Sequence, residues 1–271
     1  MDARNLIIAT ATTSTTSDLQ TGIRSALAMV TAHASVDPRR IHAVMHSTEL
    51  AGEALLEPRP AGRVAVLRIG SPLTWAIPPL ATWPHALRET VSLGETIVRG
   101  GAEHDGRSVS TLDGEAIIRF LAPVAGKVDA VAITGVFSTV SAAHELEAAE
   151  LVRRELGSDV HLSLSHEIGS LGLLERENAT VINAALVGFA RKLASTVDEA
   201  LVGEQIDAEL FLAASDGSVM APAYALRFPV RLIGAATASS MRGAAHLSGI
   251  DDAVVAHVGG TYTLIGALLN G

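Results

Sequence analysis

The sequence predicts an α/β protein built on a mostly parallel sheet, and three observations lead there. Strand-type apolar runs alternate with helix-type runs along the 271 residues, at the spacing of β–α units. Aromatic residues make up only 3%, so the core has to be assembled from Ala, Val, Leu and Ile, as in buried parallel strands covered by Ala-rich helices. At 48% hydrophobic and 18% charged, a chain of this length can bury a large core.

In chain order, residues 6–11 read as a short strand followed by a Thr/Ser-rich turn. A helix is expected over 18–32, capped by Ser17. Strands at 41–45 and 64–69 flank a helix at 48–56. Residues 69–113 break the rhythm with many loop residues and read as an insertion over one end of the sheet. A strand at 130–134, a helix at 142–156, a strand at 160–164 and a long helix at 174–200 follow. The pattern closes with a strand at 210–214, a helix at 241–248 and a strand pair around Gly259-Gly260. The reading divides the chain into an α/β region over 1–165 and a second part over 166–271.

A net charge of −9 gives no electrostatic footprint for nucleic acid, and no Lys/Arg run lies beside an apolar face to hold an anionic membrane. The absence of cysteine excludes disulfides, thiolate nucleophiles and Cys-type zinc sites, and fits a reducing compartment. The apolar stretch after Arg4 and Asn5 is too short for a signal-peptide core. The long uncharged stretch 69–87 contains Pro72, Pro78, Pro79 and Pro84, which would break a spanning helix. A cytoplasmic protein is expected. Ten histidines supply groups that titrate near neutrality.

The sharpest local feature is 253–268, where two apolar β-type runs flank Gly259-Gly260. Backbone N–H groups in such a turn, with the Thr261 hydroxyl beside them, can cradle a phosphate or an oxyanion. An ordinary tight hairpin is the alternative. Glu49 and Glu53, four residues apart, would share one helical face. His46 stands just before that helix, followed by Ser47 and Thr48. The carboxylates fit either an acid–base pair or a solvated helix face. Asp216-Gly217 is a turn signal. His257 fits either a base or a core histidine. Trp75 and Trp83 fit either an apolar lid or a packing cluster. His144-Glu145 reads as helix surface.

The hairpin segment resembles the "D-V-G-G-T-x-T-D" phosphate hairpin of the hydantoinase/oxoprolinase family. Other stretches agree in order. Arg99-Gly100-Gly101 with Glu103-His104-Asp105-Gly106, and Thr134-Gly135-Val136-Phe137-Ser138 with His144-Glu145, are similar to family loops. Ser165-His166-Glu167-Ile168-Gly169 and 174–180 resemble the entry to a long helix. Ser215-Asp216-Gly217-Ser218-Val219-Met220 and 240–245 complete the set.

The resemblance implies an actin-like (ribonuclease-H-like) ATPase-type lobe carrying the hairpin, and substrates such as cyclic amides or ketones. Its departures imply a change of chemistry. The two acidic positions of the hairpin are His257 and Leu264, which cannot serve Mg²⁺ as carboxylates do. Residues 6–13 fall just after the position of the family's first hairpin, and the family's remaining nucleotide lobe would lie beyond this one.

ATP hydrolysis by this chain alone is therefore not expected. The resemblance implies instead an ATP-independent enzyme for a small cyclic amide or carbonyl compound, catalysing a cyclisation, isomerisation or hydrolysis. His257 would be the base. Glu49 or Glu53 would be the acid, with His46 and Tyr262 beside them. Gly259, Gly260, Thr261, Ser47, Thr48 and Asp216 would contact substrate. No metal and no cofactor are expected on this reading. The alternatives are an ATP/Mg-dependent cyclic-amide hydrolase subunit completed by a hydantoinase-type partner, and a non-catalytic binding protein. A homo-oligomer is compatible with each.

Overall fold

The computed structural model describes residues 6–14, 16, 18–34, 37–56, 62–169, 171–258 and 263–270. In order they form α1 (Leu19–Ala34), β1 (Ala43–His46), α2 (Leu50–Leu56), β2 (Val64–Ser71), α3 (His85–Val91), β3 (Ser92–Arg99) and α4 (Gly114–Leu121). Next come β4 (Ala130–Gly135), α5 (Ala143–Leu156), β5 (His161–Leu164), α6 (Leu173–Gly203), β6 (Glu209–Ala213) and β7 (Val219–Met220). The last elements are α7 (Pro222–Arg227), α8 (Ala235–Ser248), β8 (Ala253–Val258) and β9 (Thr263–Leu268). They divide into a first unit (Met1–Glu49, Ala190–Arg227, Arg231–Gly271) and a second unit (Leu50–Phe189, Phe228–Val230).

The second unit is a four-stranded, fully parallel sheet in the order β3-β2-β4-β5. β2 is buried at every position, so its sequence is mostly apolar, interrupted by Arg68, rather than alternating. Because side chains alternate across the pleat, Ala65, Leu67 and Ile69 share one face with Val131 and Ile133. They pack there with Ile117 and Leu121 of α4 and Ala148, Ala149 and Val152 of α5. Arg68, Thr134 and Ser163 take the opposite face, where α6 supplies partners to Arg68 and Ser163. Asn183 Nδ2 donates to Ser163 Oγ at 2.8 Å, and Arg68 forms a buried bidentate pair with Glu177, both contacts 2.6 Å.

Residues 69–113 hold long loops and also α3 and β3, a strand absent from the sequence expectation. β3 (Ser-Leu-Gly-Glu-Thr-Ile-Val-Arg) is an edge strand, only half-buried along most of its length, so it lacks the apolar run that marks β2 and β4.

In the first unit β1 and β6 are parallel and β7 is antiparallel, in the order β1-β6-β7. α7 and α8 pack on β6, and the β8–β9 hairpin packs on α8. A Cβ on Gly266 would overlap the Met241 methyl of α8, so only glycine permits this approach.

Two expectations fail here. Residues 6–11 form no strand: they find no ladder partner, and Leu6, Ile7 and Ile8 are about half exposed. The second helix starts at Leu50 rather than 48, so Glu49 precedes it. α1 starts at Leu19 with Asp18 Oδ2 accepting from Thr21 N–H at 3.0 Å; Ser17, the expected cap, lies outside the described residues.

Candidate functional site

His46 ends β1 and borders a cavity of about 380 Å³ in the first unit. Thr13, Ser14, Leu27, Val44 and Val197 are among its other walls. His46 Nε2 is sealed from solvent without a hydrogen-bond partner. Burial holds the imidazole below the usual histidine range, so it is neutral at neutral pH. After it, Ser47 is exposed and Thr48 buried. Glu49 Oε1 accepts from Thr237 Oγ1 of α8 at 2.8 Å. Glu53 is exposed on α2, in the second unit. With Glu49 outside the helix, the two carboxylates do not share a helical face as the spacing suggested.

The β8–β9 register is continuous from Ala253↔Leu268 to Val258↔Thr263. It seats His257 directly opposite Leu264, on the strand face shared with Val255 and Gly266. His257 is exposed, and no hydrogen bond or ion pair joins it to Glu49. Gly259, Gly260, Thr261 and Tyr262 lie outside the described residues. Asp216 Oδ1 accepts from Ser218 N–H (2.9 Å) and Oγ–H (2.6 Å); these bonds and the turn hold its carboxyl below the ordinary aspartate value. It acts as a turn former in this arrangement.

The second unit holds a polar cluster that the sequence reading missed. An open parallel sheet offers a crevice beyond its strand ends where the strand order reverses, here between β2 and β4. The loop after β3 fills it. Gly101, at φ +98°, lies against Ile69 O and Val136, and Ala102 N–H donates to Val136 O at 3.0 Å. His144 Nδ1 accepts from Gly101 N–H at 2.9 Å and secures the loop.

Beside the filled crevice Glu145 is 1% exposed, not on a helix surface as its sequence suggested. Its Oε1 accepts from Gly135 N–H (2.7 Å) and Ser165 Oγ–H (2.5 Å). Its Oε2 accepts from His166 N–H (3.1 Å) and lies 2.6 Å from His166 Nδ1. Burial, the largest influence, pushes the carboxyl up; the bonds from His166, Ser165 and Gly135 together outweigh it and hold it below the ordinary value. Arg176 completes the cluster, Nε on Ser165 Oγ (2.9 Å) and Nη2 on Gly135 O (2.6 Å). Both Glu145 oxygens are engaged by protein, so this cluster ties β4, β5, α5 and α6 together rather than presenting a carboxylate to a ligand. The signal in the sequence was the first-turn position of Glu145, close behind the end of β4, where a carboxylate reaches free backbone N–H groups.

Residues 1–156 match the pattern described as hydantoinase/oxoprolinase N-terminal region, and residues 176–271 that described as hydantoinase/oxoprolinase. The chain belongs to the hydantoinase/oxoprolinase family. No curated protein matches it. Among solved structures it is similar to the ATP-dependent caprolactamase from Pseudomonas jessenii, at 24% identity and a TM-score of 0.73, over 94% of this chain and 39% of that one. It is also similar to nucleotide-free acetone carboxylase, a structure described under ATP-dependent acetone carboxylation, at 13% identity and a TM-score of 0.72, over 96% of this chain and 40% of that one. The chain thus spans about two fifths of the length of these structures. The likeness shows the fold, an α/β architecture of the actin-like ATPase type.

At the two strand positions of His257 and Leu264 the hairpin offers Mg²⁺ no carboxylate. Magnesium takes hard oxygen ligands, and the hairpin offers an imidazole opposite an isobutyl group. Among the described residues no cluster of three or more His, Asp and Glu is disposed to hold a metal ion, and no helix is long and apolar enough to cross a membrane.

Proposed function

We propose that this hydantoinase/oxoprolinase-family chain acts on a small cyclic-amide or carbonyl compound by general acid–base catalysis, without hydrolysing ATP. One observation carries the reading: the hairpin register pairs His257 with Leu264 at the two positions where the family resemblance implies carboxylates. The substitution removes the oxygen ligands of a magnesium site and leaves an exposed imidazole, a side chain that can serve as a general base. His257 is the base in this reading, and Glu49, oriented by Thr237, is the acid partner. Gly259 and Gly260 supply backbone N–H groups to a developing oxyanion. Cyclisation, isomerisation and hydrolysis are all within reach of such a set.

The test is turnover of a panel of small lactams, hydantoins and ketones, with and without ATP. Turnover that is independent of ATP and falls at least a hundredfold in His257→Ala supports the reading. Turnover unchanged by that substitution removes His257 from the mechanism.

A second reading is an ATP-dependent cyclic-amide hydrolase subunit completed by a partner chain or a second copy. Val254, Val258 and Ile265 favour it: they share the outer face of the β8–β9 ribbon and are 77%, 77% and 73% exposed. An apolar face of this kind marks a surface that another chain covers. ATP-stimulated turnover appearing only with a partner present would select it.

A further inference from the structure

The loop between β2 and α3 is held more firmly than a connection needs, and it displays apolar side chains. Residues 69–84 carry no charged side chain. Consecutive turns shape its start: Thr74 N–H donates to Gly70 O at 3.1 Å, and Trp75 N–H to Pro72 O and Ile77 N–H to Thr74 O, both at 3.2 Å. The buried Arg68–Glu177 pair then fixes the backbone. Arg68 Nη1 donates to Ile77 O at 2.5 Å, and Glu177 Oε1 accepts from Leu80 N–H at 3.1 Å. Leu80 is buried at φ +56°, a left-handed backbone that such a residue keeps only where its surroundings impose it. Trp83 Nε1 donates to Asn178 Oδ1 of α6 at 2.9 Å. On this fixed backbone Leu73, Trp75 and Ile77 are 62%, 65% and 46% exposed, with Pro72, Ala76 and Pro78 also exposed.

An exposed tryptophan on a preorganised loop is a binding anchor, with a large apolar area and little conformational freedom left to lose. The charge of the chain selects the partner. At a net −9 two copies repel one another, and a stretch without charge lets them meet with no like-charge pair and no desolvated ion. Contacts between different proteins draw selectivity from complementary charge, which this loop lacks, whereas homodimer interfaces are the more apolar ones. The absence of Lys and Arg from the loop leaves nothing to hold an anionic membrane.

We propose that this loop is a self-association surface, through which two copies of the chain pair by burying Trp75 of each against Leu73 and Ile77 of the other.

The loop offers fewer residues than the roughly 20–30 a side of a standard interface, so the dimer is weak, with a dissociation constant of about 1–100 μM. The proposal is independent of ATP use and of His257, so it can fail while the hairpin reading stands, and the reverse. The full chain is followed by sedimentation velocity across that concentration range. In Trp83→Phe, Trp75 is the sole tryptophan, and its emission is read over the same series. The sedimentation coefficient should rise from monomer to dimer, with a parallel blue shift of Trp75. Added salt should tighten the dimer by screening the repulsion between the acidic copies. Trp75→Glu, a change at an exposed position, should keep the melting temperature of the dilute chain and remain monomeric throughout. Val254→Glu, on the outer face of the β8–β9 ribbon, should leave the dimer intact. A monomer at every concentration, a dimer that survives Trp75→Glu or is lost in Val254→Glu, weakening by salt, or a blue shift of Trp75 only on adding phosphatidylcholine vesicles would each overturn the proposal.

Discussion

Replacing Glu145 with Gln tests whether the buried cluster fastens the second unit. The carboxylate receives Gly135 N–H and Ser165 Oγ–H on one oxygen and meets the His166 backbone N–H and Nδ1 on the other, and the side chain is fully enclosed. An amide keeps one acceptor but turns an NH₂ toward donors, so two bonds are lost. Arg176, itself 2% exposed, also loses a countercharge. Hydrogen bonds to a charged group contribute about 1.5–3 kcal/mol each, and breaking a buried pair costs about 3–5 kcal/mol. The expected loss at pH 7 is about 3–5 kcal/mol.

Because the folded Glu145 carboxyl lies below its ordinary value of 4.5, its contribution is full above that value and is lost as pH falls through the folded value. The gap between wild type and Glu145→Gln should therefore narrow in strong acid. Urea unfolding followed by tryptophan fluorescence is the assay, since both tryptophans, Trp75 and Trp83, lie in the second unit and report it alone. A loss under about 1 kcal/mol at pH 7, or a gap unchanged in strong acid, would refute the reasoning.

Glu177→Gln should cost about 3–5 kcal/mol by the same fluorescence measurement, because Arg68 is left buried without its partner. The apolar double variant Arg68→Met/Glu177→Met should be more stable than either single one; additive losses would contradict the pairing. Gly266→Val should shift the amide resonances of β8 and β9, and Met241→Ala should restore them by making room for the new side chain. His46→Phe should flatten the pH dependence of stability between pH 7 and 5. Wild type loses stability as pH falls below about 6.5, where the unfolded imidazole takes up a proton that the buried one refuses. Hydrogen exchange of β1 amides at the two pH values reads this directly.

Much of the fold was legible because burial leaves a strong mark on sequence. β2 and β4 appear as largely apolar runs, and α5 and α6 begin and end within a few residues of their expected limits. The failures share a cause, dependence on distant partners. The run 6–11 has strand composition but joins no sheet, and β3 joins one with a polar, half-buried sequence.

The same holds for the sites. The two strands around Gly259-Gly260 were legible as a local hairpin, and the register adds that His257 stands opposite Leu264. The Glu145 cluster joins residues 10 to 41 positions apart on four different elements, which no local pattern carries. The sealed, unpaired Nε2 of His46 depends on the side chains packed around it, which no local pattern shows.

The central claim, that the His257–Leu264 hairpin does not serve Mg²⁺-ATP, is tested most directly by calorimetric titration of the full chain with ATP and with a non-hydrolysable analogue, each with and without Mg²⁺. No Mg²⁺-dependent heat and no shift in melting temperature are expected. Saturable, Mg²⁺-dependent binding that is abolished by substitution within the hairpin would contradict the claim and make the ATP-coupled hydrolase the governing account.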